Sequence, residues 1–282
     1  MPRLIVNADD YGLTPGINRA TETLFTQHAL TSATVMAGAP CTAGATAFVR
    51  SSNFTVGCHI VLLDGAPVAP AAEVASLLRP GHTTFYPTLG EFLRAIFARR
   101  IRPEHIEREA SAQMIRLQSS GIQLTHVDSH KHTHSFPAVL APILRAAKSA
   151  GVPAIRNPFE PAWSVAATTA PWLRKAQVNL VRALYGASFT RAVRDAALAT
   201  TGGTLGIAAT GSLDASSLRA ILRAMPEGTW ELVCHPGHVD AALTNVATRL
   251  RESREVEFKT LQELPSVLPP NTVLQSYGDL LA

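Results

Sequence analysis

Short apolar runs alternate with longer stretches of helical periodicity along most of this chain of 282 residues. Apolar runs of this length are typical of buried strands, and a helix between two runs lets the next strand return in the same direction. The runs lie at 4–7, 32–36, 55–61, 124–129, 153–156, 204–208 and 230–234, with a final apolar stretch at 272–276. The alternation predicts an α/β fold, a TIM-like and distorted (β/α) barrel with insertions at strand ends, and residues 1–282 forming one domain.

Three of the predicted helices have clear boundaries. Residues 15–28 follow Thr14, a suitable N-cap residue, and begin with Pro15, which favours the first helical position. Residues 103–120 place their apolar side chains on one face. Residues 137–150 form the next helix, which a glycine and a proline stop. Each helix falls between two predicted strands, as the barrel requires.

Two long segments, 62–102 and 157–200, fit this alternation poorly. In barrel enzymes, long insertions at strand ends usually form the substrate site, and we expect the same here. Within the second segment, residues 171–185 are compatible with an amphipathic basic helix that rests on an anionic membrane surface. The alternative is that its apolar residues pack on the barrel.

The charge balance argues against a nucleic-acid partner. The chain has 25 Lys and Arg against 21 Asp and Glu, and this small excess is scattered rather than concentrated on one segment. Only 16% of the residues are charged and 46% are hydrophobic, which favours a large core and argues against a disordered chain.

The cysteines and the apolar profile indicate a reducing compartment. Cys41, Cys58 and Cys234 are odd in number and form no CxxC pair, so a complete set of internal disulfides is excluded. Acidic residues at positions 9 and 10 interrupt the apolar stretch that a signal peptide needs. No run reaches the roughly 18 apolar residues of a membrane span. We therefore expect a cytoplasmic protein, with membrane association left open by residues 171–185.

Asp9 and Asp10 stand directly after the first predicted strand. Two adjacent carboxylates repel each other unless a cation neutralises them. Because successive side chains of a strand point in opposite directions, one carboxylate could bind a metal and the other a substrate water. The alternative is a turn or a helix-capping pair before Gly12 and Pro15.

A histidine-rich tract begins within the fourth predicted strand and continues past its end. It contains His126, His130, His132 and His134, four of the chain's ten histidines, together with Asp128. Imidazole and carboxylate together suit a borderline divalent ion such as Zn²⁺. A polar loop or an adventitious metal tract is the alternative, but a position between a strand and a helix favours a site at the carboxyl end of the barrel.

Three further polar groups stand at strand ends. His59 and His235 each end an apolar run, and Arg156 ends the run between them. A lone histidine at such a position is more often structural, and Arg156 could equally be an exposed surface residue. The carboxyl ends of parallel strands meet at one face of a barrel, however, so these groups would meet Asp9 and Asp10 there. Arg156 could then pair with a carboxylate and hold it ionised.

These motifs, in this order, resemble those of the YdjC-like carbohydrate deacetylases, relatives of the chitooligosaccharide deacetylases. The matching stretches are 5–12, 57–59, 125–134, 155–158 and 231–237. Taken whole, with its two insertions, the chain is similar to the branch of this family that is associated with hopanoid biosynthesis, HpnK.

The resemblance implies roles for individual residues. Asp10, His59 and His130 would bind the metal, Asp9 would be the general base and His235 the general acid. The remaining residues would be Arg156, which orients the base, and His126, Asp128, His132, His134 and Glu160, which support the ligands or contact the substrate.

The implied reaction is hydrolysis of the N-acetyl group of an N-acetylglucosaminyl substrate, with one divalent ion as cofactor. Zn²⁺ is favoured, and Mg²⁺, Co²⁺ or Ni²⁺ are alternatives because the ligand set is not exclusive. The branch implies a lipid-linked (hopanoid) glycoside, while a chitooligosaccharide or another soluble carbohydrate stays open, as does a homodimer. Two other classes also use clustered histidine and aspartate. One is a metal-dependent phosphoesterase, which would more often need two metals, and the other is a sugar- or lipid-binding protein with a structural metal.

Overall fold

A seven-stranded parallel sheet forms the centre of the protein, as described by a computed structural model for residues 1–281. The strands are β1 (Pro2–Tyr11), β2 (Ser32–Val35), β3 (Val56–Ile60), β4 (Leu124–Ser129), β5 (Thr204–Leu205), β6 (Gly228–Cys234) and β7 (Val273–Leu274). Their order is β4-β3-β2-β1-β6-β5, and β7 pairs with the first residues of β1. Every pairing is parallel, as the alternation of strands and helices predicted.

Helices connect the strands. They are α1 (Pro15–Thr26), α2 (Thr42–Ser51), α3 (Leu89–Phe97), α4 (Pro103–Ser119), α5 (Pro137–Ser149), α6 (Ala162–Ala167), α7 (Trp172–Ala196), α8 (Ala215–Ala224), α9 (Ala241–Thr244), α10 (Glu252–Gln262) and α11 (Leu264–Val267). The start of α1 is confirmed: the Thr14 hydroxyl accepts a hydrogen bond from the Ile17 amide at 3.2 Å, and Pro15 occupies the first turn. The three helices predicted from the sequence all form, with ends shifted by one or two residues.

The first strand is longer than its apolar run. Its ladder with β6 covers residues 2–8, and its ladder with β2 continues to Tyr11. Asp9 and Asp10 therefore belong to β1 instead of following it. Hydrophobic periodicity could not extend the strand this far, because these two side chains are carboxylates.

The closed TIM-like barrel is not confirmed. Where a strand was predicted at 153–156, the backbone makes only single bridges, from Ile155 to Val127 and from Ala154 to Ala199. Pro153 has no N–H to donate, so a regular ladder cannot run through it. The predicted strand at 204–208 is also reduced to the two residues of β5. The sheet is thus a half-barrel of parallel strands, with an irregular segment between β4 and β5.

The two insertions acquire helices of their own. Residues 62–102 contain a 3₁₀ segment, Ala71–Leu77, and α3, while residues 157–200 contain α6 and the 25-residue α7. Within residues 1–281, no helix is both long enough and apolar enough to cross a membrane.

The basic helix predicted at 171–185 is the first half of α7. Its packing on the rest of the molecule is incomplete. Val178 is buried, whereas Trp172, Leu173, Leu180 and Leu184 are exposed. The alternative in which the apolar residues simply pack on the barrel therefore applies to only part of this helix.

Candidate metal site and its surroundings

Three side chains converge where β1, β3 and β4 end. Asp10 is the penultimate residue of β1, His59 lies in β3, and His130 directly follows β4. Asp10 Oδ1 lies 3.5 Å from His59 Nε2 and 3.3 Å from His130 Nδ1, and the two nitrogens are 3.3 Å apart. The family resemblance implied these three residues as metal ligands, and the structure brings them together.

The three donor atoms fit a single metal ion. Asp10 Oδ1 is buried and accepts no hydrogen bond from any group within residues 1–281. Two donors held about 2.1 Å from one ion at tetrahedral angles lie roughly 3.4 Å apart, which matches the observed separations. A cation would give Asp10 Oδ1 the partner that the protein does not provide.

Buried charge supports the same conclusion. The carboxylates at and just beneath the three donors are Asp9, Asp10, Asp128, Glu231 and Glu257. Within the described residues, the arginines buried among them are Arg156 and Arg254. An excess of buried negative charge is costly unless protons or a cation offset it.

His59 is held by the groups on its other ring nitrogen. Its Nδ1 lies 2.8 Å from Asp128 Oδ1 and 3.2 Å from the Thr34 hydroxyl. A carboxylate on the second nitrogen is the usual way in which a ligating histidine is oriented. Burial lowers the pKa of His59, but the carboxylates of Asp128, Asp9 and Asp10 together raise it more, to about 9. A metal must therefore displace a proton from this imidazole.

Asp9 is paired with Arg156. Arg156 Nη1 donates to Asp9 Oδ2 at 2.8 Å, and Nη2 donates to Oδ1 at 2.7 Å. Burial alone would raise the pKa of Asp9, but the guanidinium outweighs it and holds the pKa below its usual range. This carboxylate is therefore ionised at neutral pH, beside the three metal donors.

Arg156 is completely buried, so the alternative of an exposed surface arginine is wrong. Besides Asp9 it binds Asp128 and Glu231, and Glu231 also accepts a hydrogen bond from the Tyr277 hydroxyl. One guanidinium thus fixes both Asp9 and the carboxylate that orients His59. A second possible metal group, formed by Asp9, His59 and Asp128, already has this arginine on both carboxylates.

His235 lies on the other side of Asp9. Its Nε2 is 3.9 Å from Asp9 Oδ2, and its Nδ1 is 3.7 Å from Glu257 Oε2, which also accepts the His235 backbone N–H at 2.6 Å. Burial lowers the pKa of His235, but Glu257 and Asp9 raise it above the ordinary value. The protonated imidazole is therefore favoured, as a proton donor requires.

Two residues of α10 were missed from the sequence. Arg254 donates to Asp10 Oδ2 at 2.5 Å, and Glu257 supports His235. Both side chains are buried. The segment Glu252–Gln262 is rich in charge and looks like a solvated helix. The available signal was an arginine and a glutamate three positions apart, which lie on one helix face.

Three further predicted residues are held by contacts other than the metal donors, and one of them, Glu160, also lines the cavity described below. His126 is buried and stacks on Tyr277 with ring centroids 3.6 Å apart, and His134 Nδ1 lies 2.6 Å from the Ser129 hydroxyl. The carboxylate of Glu160 accepts the backbone N–H of Gly206 at 3.1 Å and of Ala208 at 2.7 Å. These contacts hold the sheet and the loop after β5 in place.

A cavity of about 790 Å³ opens above the metal donors. Asp9, Asp10, His59, His130 and His235 line its base. Its other wall is apolar and comes largely from the insertions: Leu89 and Leu93 of α3, Val178 and Val181 of α7, and Phe136. This volume lies within the range of small-molecule sites.

His132 lines the same cavity. It and Lys131 both have left-handed backbone angles, with φ of 51° and 53°. Such conformations are costly for residues other than glycine and are concentrated at functional sites. Burial and the nearby Arg156 lower the pKa of His132 to about 3, so its imidazole is neutral.

Comparison with known families identifies the group to which the chain belongs. The sequence profile of the family described as YdjC-like protein matches residues 3–265. The chain belongs to the YdjC-like family. The match includes the metal donors, Asp9, His235 and both missed residues of α10.

Relatives of this YdjC-like chain include proteins named carbohydrate deacetylase. The identity is 36% over 158 residues for that of Brevibacillus brevis, covering 56% of this chain and 60% of the relative. The carbohydrate deacetylase of Geobacillus stearothermophilus is 38% identical over 155 residues, covering 54% of this chain and 59% of the relative. The match thus spans about 60% of the length of these two relatives. The protein of Thermoanaerobacter pseudethanolicus is 25% identical over 99% of this chain and 100% of its own.

Two solved structures share the fold of this YdjC-like chain. One, from Enterococcus faecalis, is described as a candidate cellobiose-phosphate cleavage protein; it has a TM-score of 0.74 at 22% identity and covers 99% of this chain and 98% of its own. The other, a lactam utilization protein from Thermus thermophilus, has a TM-score of 0.51 at 15% identity. It covers 97% of this chain and 99% of its own. At these identities the likeness establishes the fold alone.

Proposed function

We propose that this YdjC-like protein is a metal-dependent carbohydrate N-deacetylase acting on an N-acetylglucosaminyl substrate. The observation that carries the proposal is the triangle of Asp10, His59 and His130 donors, with an ionised Asp9 on one side and His235 beside it. The name shared by several relatives, carbohydrate deacetylase, supports the same activity.

The reaction is hydrolysis of the acetamide bond. When bound, the metal ion supplies positive charge that polarises the acetyl carbonyl and acidifies a water molecule. Asp9 accepts the proton of the attacking water, because Arg156 keeps its carboxylate ionised and pointed into the cavity. His235 donates a proton to the leaving nitrogen as the C–N bond breaks. The products are acetate and the free amine of the sugar.

Glu257 gives His235 its role in this scheme. Its carboxylate favours the protonated imidazole and, through the His235 backbone N–H, holds the residue near Asp9. The general base and the general acid then lie next to each other at the bottom of the cavity, and each has its own buried partner of opposite charge.

We assign Zn²⁺ as the preferred ion. Two imidazoles with one carboxylate suit Zn²⁺, and the spacing of the donor atoms matches tetrahedral angles. Mg²⁺ prefers oxygen ligands in an octahedral arrangement, whereas Co²⁺ and Ni²⁺ accept imidazole and compete for the site. Equilibrium dialysis against each ion, followed by elemental analysis, tests this preference through the metal content alone.

The substrate we assign is lipid-linked, a hopanoid glycoside of N-acetylglucosamine. The metal donors lie at the base of the cavity, and the apolar wall of α3, α7 and Phe136 offers the lipid a surface from which water is excluded. A chitooligosaccharide would leave this wall in contact with a polar ligand.

Acetate release is the deciding measurement. Lipid-linked N-acetylglucosaminyl glycoside, N-acetylglucosamine and chitobiose are compared with and without a chelator. We expect chelator-sensitive release and a higher kcat/KM for the lipid-linked substrate. Release that persists without metal would overturn metal dependence, and equal kcat/KM for chitobiose would overturn the lipid assignment alone.

A further inference from the structure

The outer face of α7 is apolar where a surface helix is ordinarily polar. Leu173, Leu180 and Leu184 are 64%, 58% and 61% exposed, and Trp172 is 74% exposed. Spacings of three, four and seven residues place such positions on one helix face. Single exposed apolar residues are common on protein surfaces, but several on one helix face mark an interaction site.

The end of α3 contributes to the same surface. Phe97 is 66% exposed. Its ring centroid lies 6.4 Å from that of Phe136, which in turn lies 5.5 Å from that of Tyr185 on α7. This aromatic chain joins the two helices. We refer to Phe97, Trp172, Leu173, Leu180 and Leu184 as the α3–α7 face.

Basic residues are frequent in the two segments that contain the α3–α7 face. Between residues 161 and 194 there are five Lys or Arg and no acidic residue, and residues 92–103 contain four arginines and no acidic residue. In the described part of the chain, only Arg194 of these nine forms an ion pair, with Asp195. Except for Arg174, which lines the cavity and donates to the Ile207 carbonyl, their charge is therefore available to an anionic partner.

The charge also decides between two kinds of partner. A second copy of this chain on the α3–α7 face would bring two sets of arginines together, and like charges at an interface are unfavourable. An anionic bilayer offers both an apolar interior for the Leu and Trp side chains and negative head groups for the basic residues.

The cavity opens beside this face. Gln177 is exposed and lines the cavity. It lies four residues after Leu173 and three before Leu180, so it shares their helix face. The apolar residues of α7 therefore border the cavity at Gln177.

We infer that the α3–α7 face docks on an anionic lipid bilayer, with its apolar residues in the interfacial region and the cavity mouth turned toward the membrane. An amphiphilic substrate could then enter from the bilayer without passing through water. Docking depends on the two helices and their basic residues, so the inference does not require that the site deacetylates sugars.

Vesicle flotation tests the docking directly. The full chain is floated with vesicles of phosphatidylcholine alone or mixed with an equal part of phosphatidylglycerol. We expect binding to the anionic vesicles that weakens as salt is raised, because screening shortens the reach of surface charge. Leu180→Ser combined with Leu184→Ser should lower the partition coefficient at least about tenfold, since less apolar area is buried. Arg191→Gln, which changes an exposed arginine seven residues after Leu184, should lower it roughly fivefold.

Ile115→Ser combined with Val256→Ser is the matched control. These residues are also exposed but lie on α4 and α10, and we expect wild-type partitioning. Absence of binding to anionic vesicles at low salt would overturn the inference, as would equal binding by the Leu180→Ser, Leu184→Ser variant. A dimer in size-exclusion chromatography that these two substitutions convert to a monomer would instead make the face a self-interface. None of these measurements requires turnover, so a failed deacetylase assay leaves the result unaffected.

Discussion

Arg254 donates a hydrogen bond of 2.5 Å to Oδ2 of Asp10, a residue 244 positions away in the chain. The other oxygen, Oδ1, is left facing His59 and His130. The guanidinium thus fixes which carboxylate oxygen is available to a metal ion, and it does so from α10 instead of from the sheet.

Replacing Arg254 should weaken metal binding. We expect Arg254→Gln to reduce metal affinity roughly 10–100-fold, the usual effect of removing a group that orients a ligand. A chelator competition measurement gives the affinity directly. Arg219→Gln removes an arginine of an exposed ion pair with Glu263 and should leave the affinity unchanged. Equal affinities for the two variants would contradict this role of Arg254.

Removal of either histidine ligand should abolish metal retention and activity together. His59→Ala or His130→Ala deletes one of the three protein donors. We expect this loss to cost several kcal/mol of metal-binding free energy. Elemental analysis after dialysis measures occupancy, and His82→Ala, an exposed histidine, is the control. Full occupancy in either variant would remove that residue from the ligand set.

The site was largely predictable because of where its residues stand in the sequence. Asp9, Asp10, His59 and His130 lie at the ends of parallel strands, and these ends meet at one edge of a sheet. Glu257, like Arg254, was not predictable in this way. It lies on a helix, and helical periodicity does not distinguish a buried charge from a solvated one.

The fold, like the site, was predictable from the sequence only in part. Apolar runs located every strand that forms a ladder, since burial demands them. Closure of the barrel depends on the backbone hydrogen bonds beside Pro153, and the hydrophobic pattern of the sequence does not show whether such bonds form. The resemblance gave His126 and His134 supporting or substrate-contacting roles, and in the structure His126 stacks on Tyr277 while His134 Nδ1 lies beside the Ser129 hydroxyl.

The acid and the base should be separable from metal binding. Asp9→Asn and His235→Ala should retain the metal but lose roughly 10²–10⁴-fold in kcat, the usual contribution of a positioned proton carrier. Occupancy and single-turnover rates are measured on the same samples. Turnover close to that of the unmodified protein in either variant would refute the assigned role.

Glu257 should control the alkaline limb of the pH–rate profile. His235 donates a proton, so activity is lost as the pH rises through its pKa, which Glu257 raises. Glu257→Gln removes that charge and should move the alkaline limb to lower pH. The acidic limb, where protons compete with the metal for His59 and protonate Asp9, should stay where it is. Glu252→Gln, on the exposed side of α10, is the control. An unshifted limb in Glu257→Gln would mean that Glu257 only holds the backbone.

The apolar wall of the cavity should set the preference for a lipid-linked substrate. Leu93 of α3 and Val181 of α7 line it from two sides. Leu93→Asn combined with Val181→Asn should lower kcat/KM for the lipid-linked glycoside at least about tenfold relative to N-acetylglucosamine, because contact with an apolar ligand loses free energy in proportion to buried area. Competition between the two substrates in one reaction gives this ratio independently of the fraction of active protein. Ile115→Asn alters an exposed apolar residue of α4 outside the cavity and should leave the ratio unchanged. If the double variant keeps the ratio of the unmodified protein, the apolar wall does not bind the lipid, and a soluble carbohydrate becomes the better assignment.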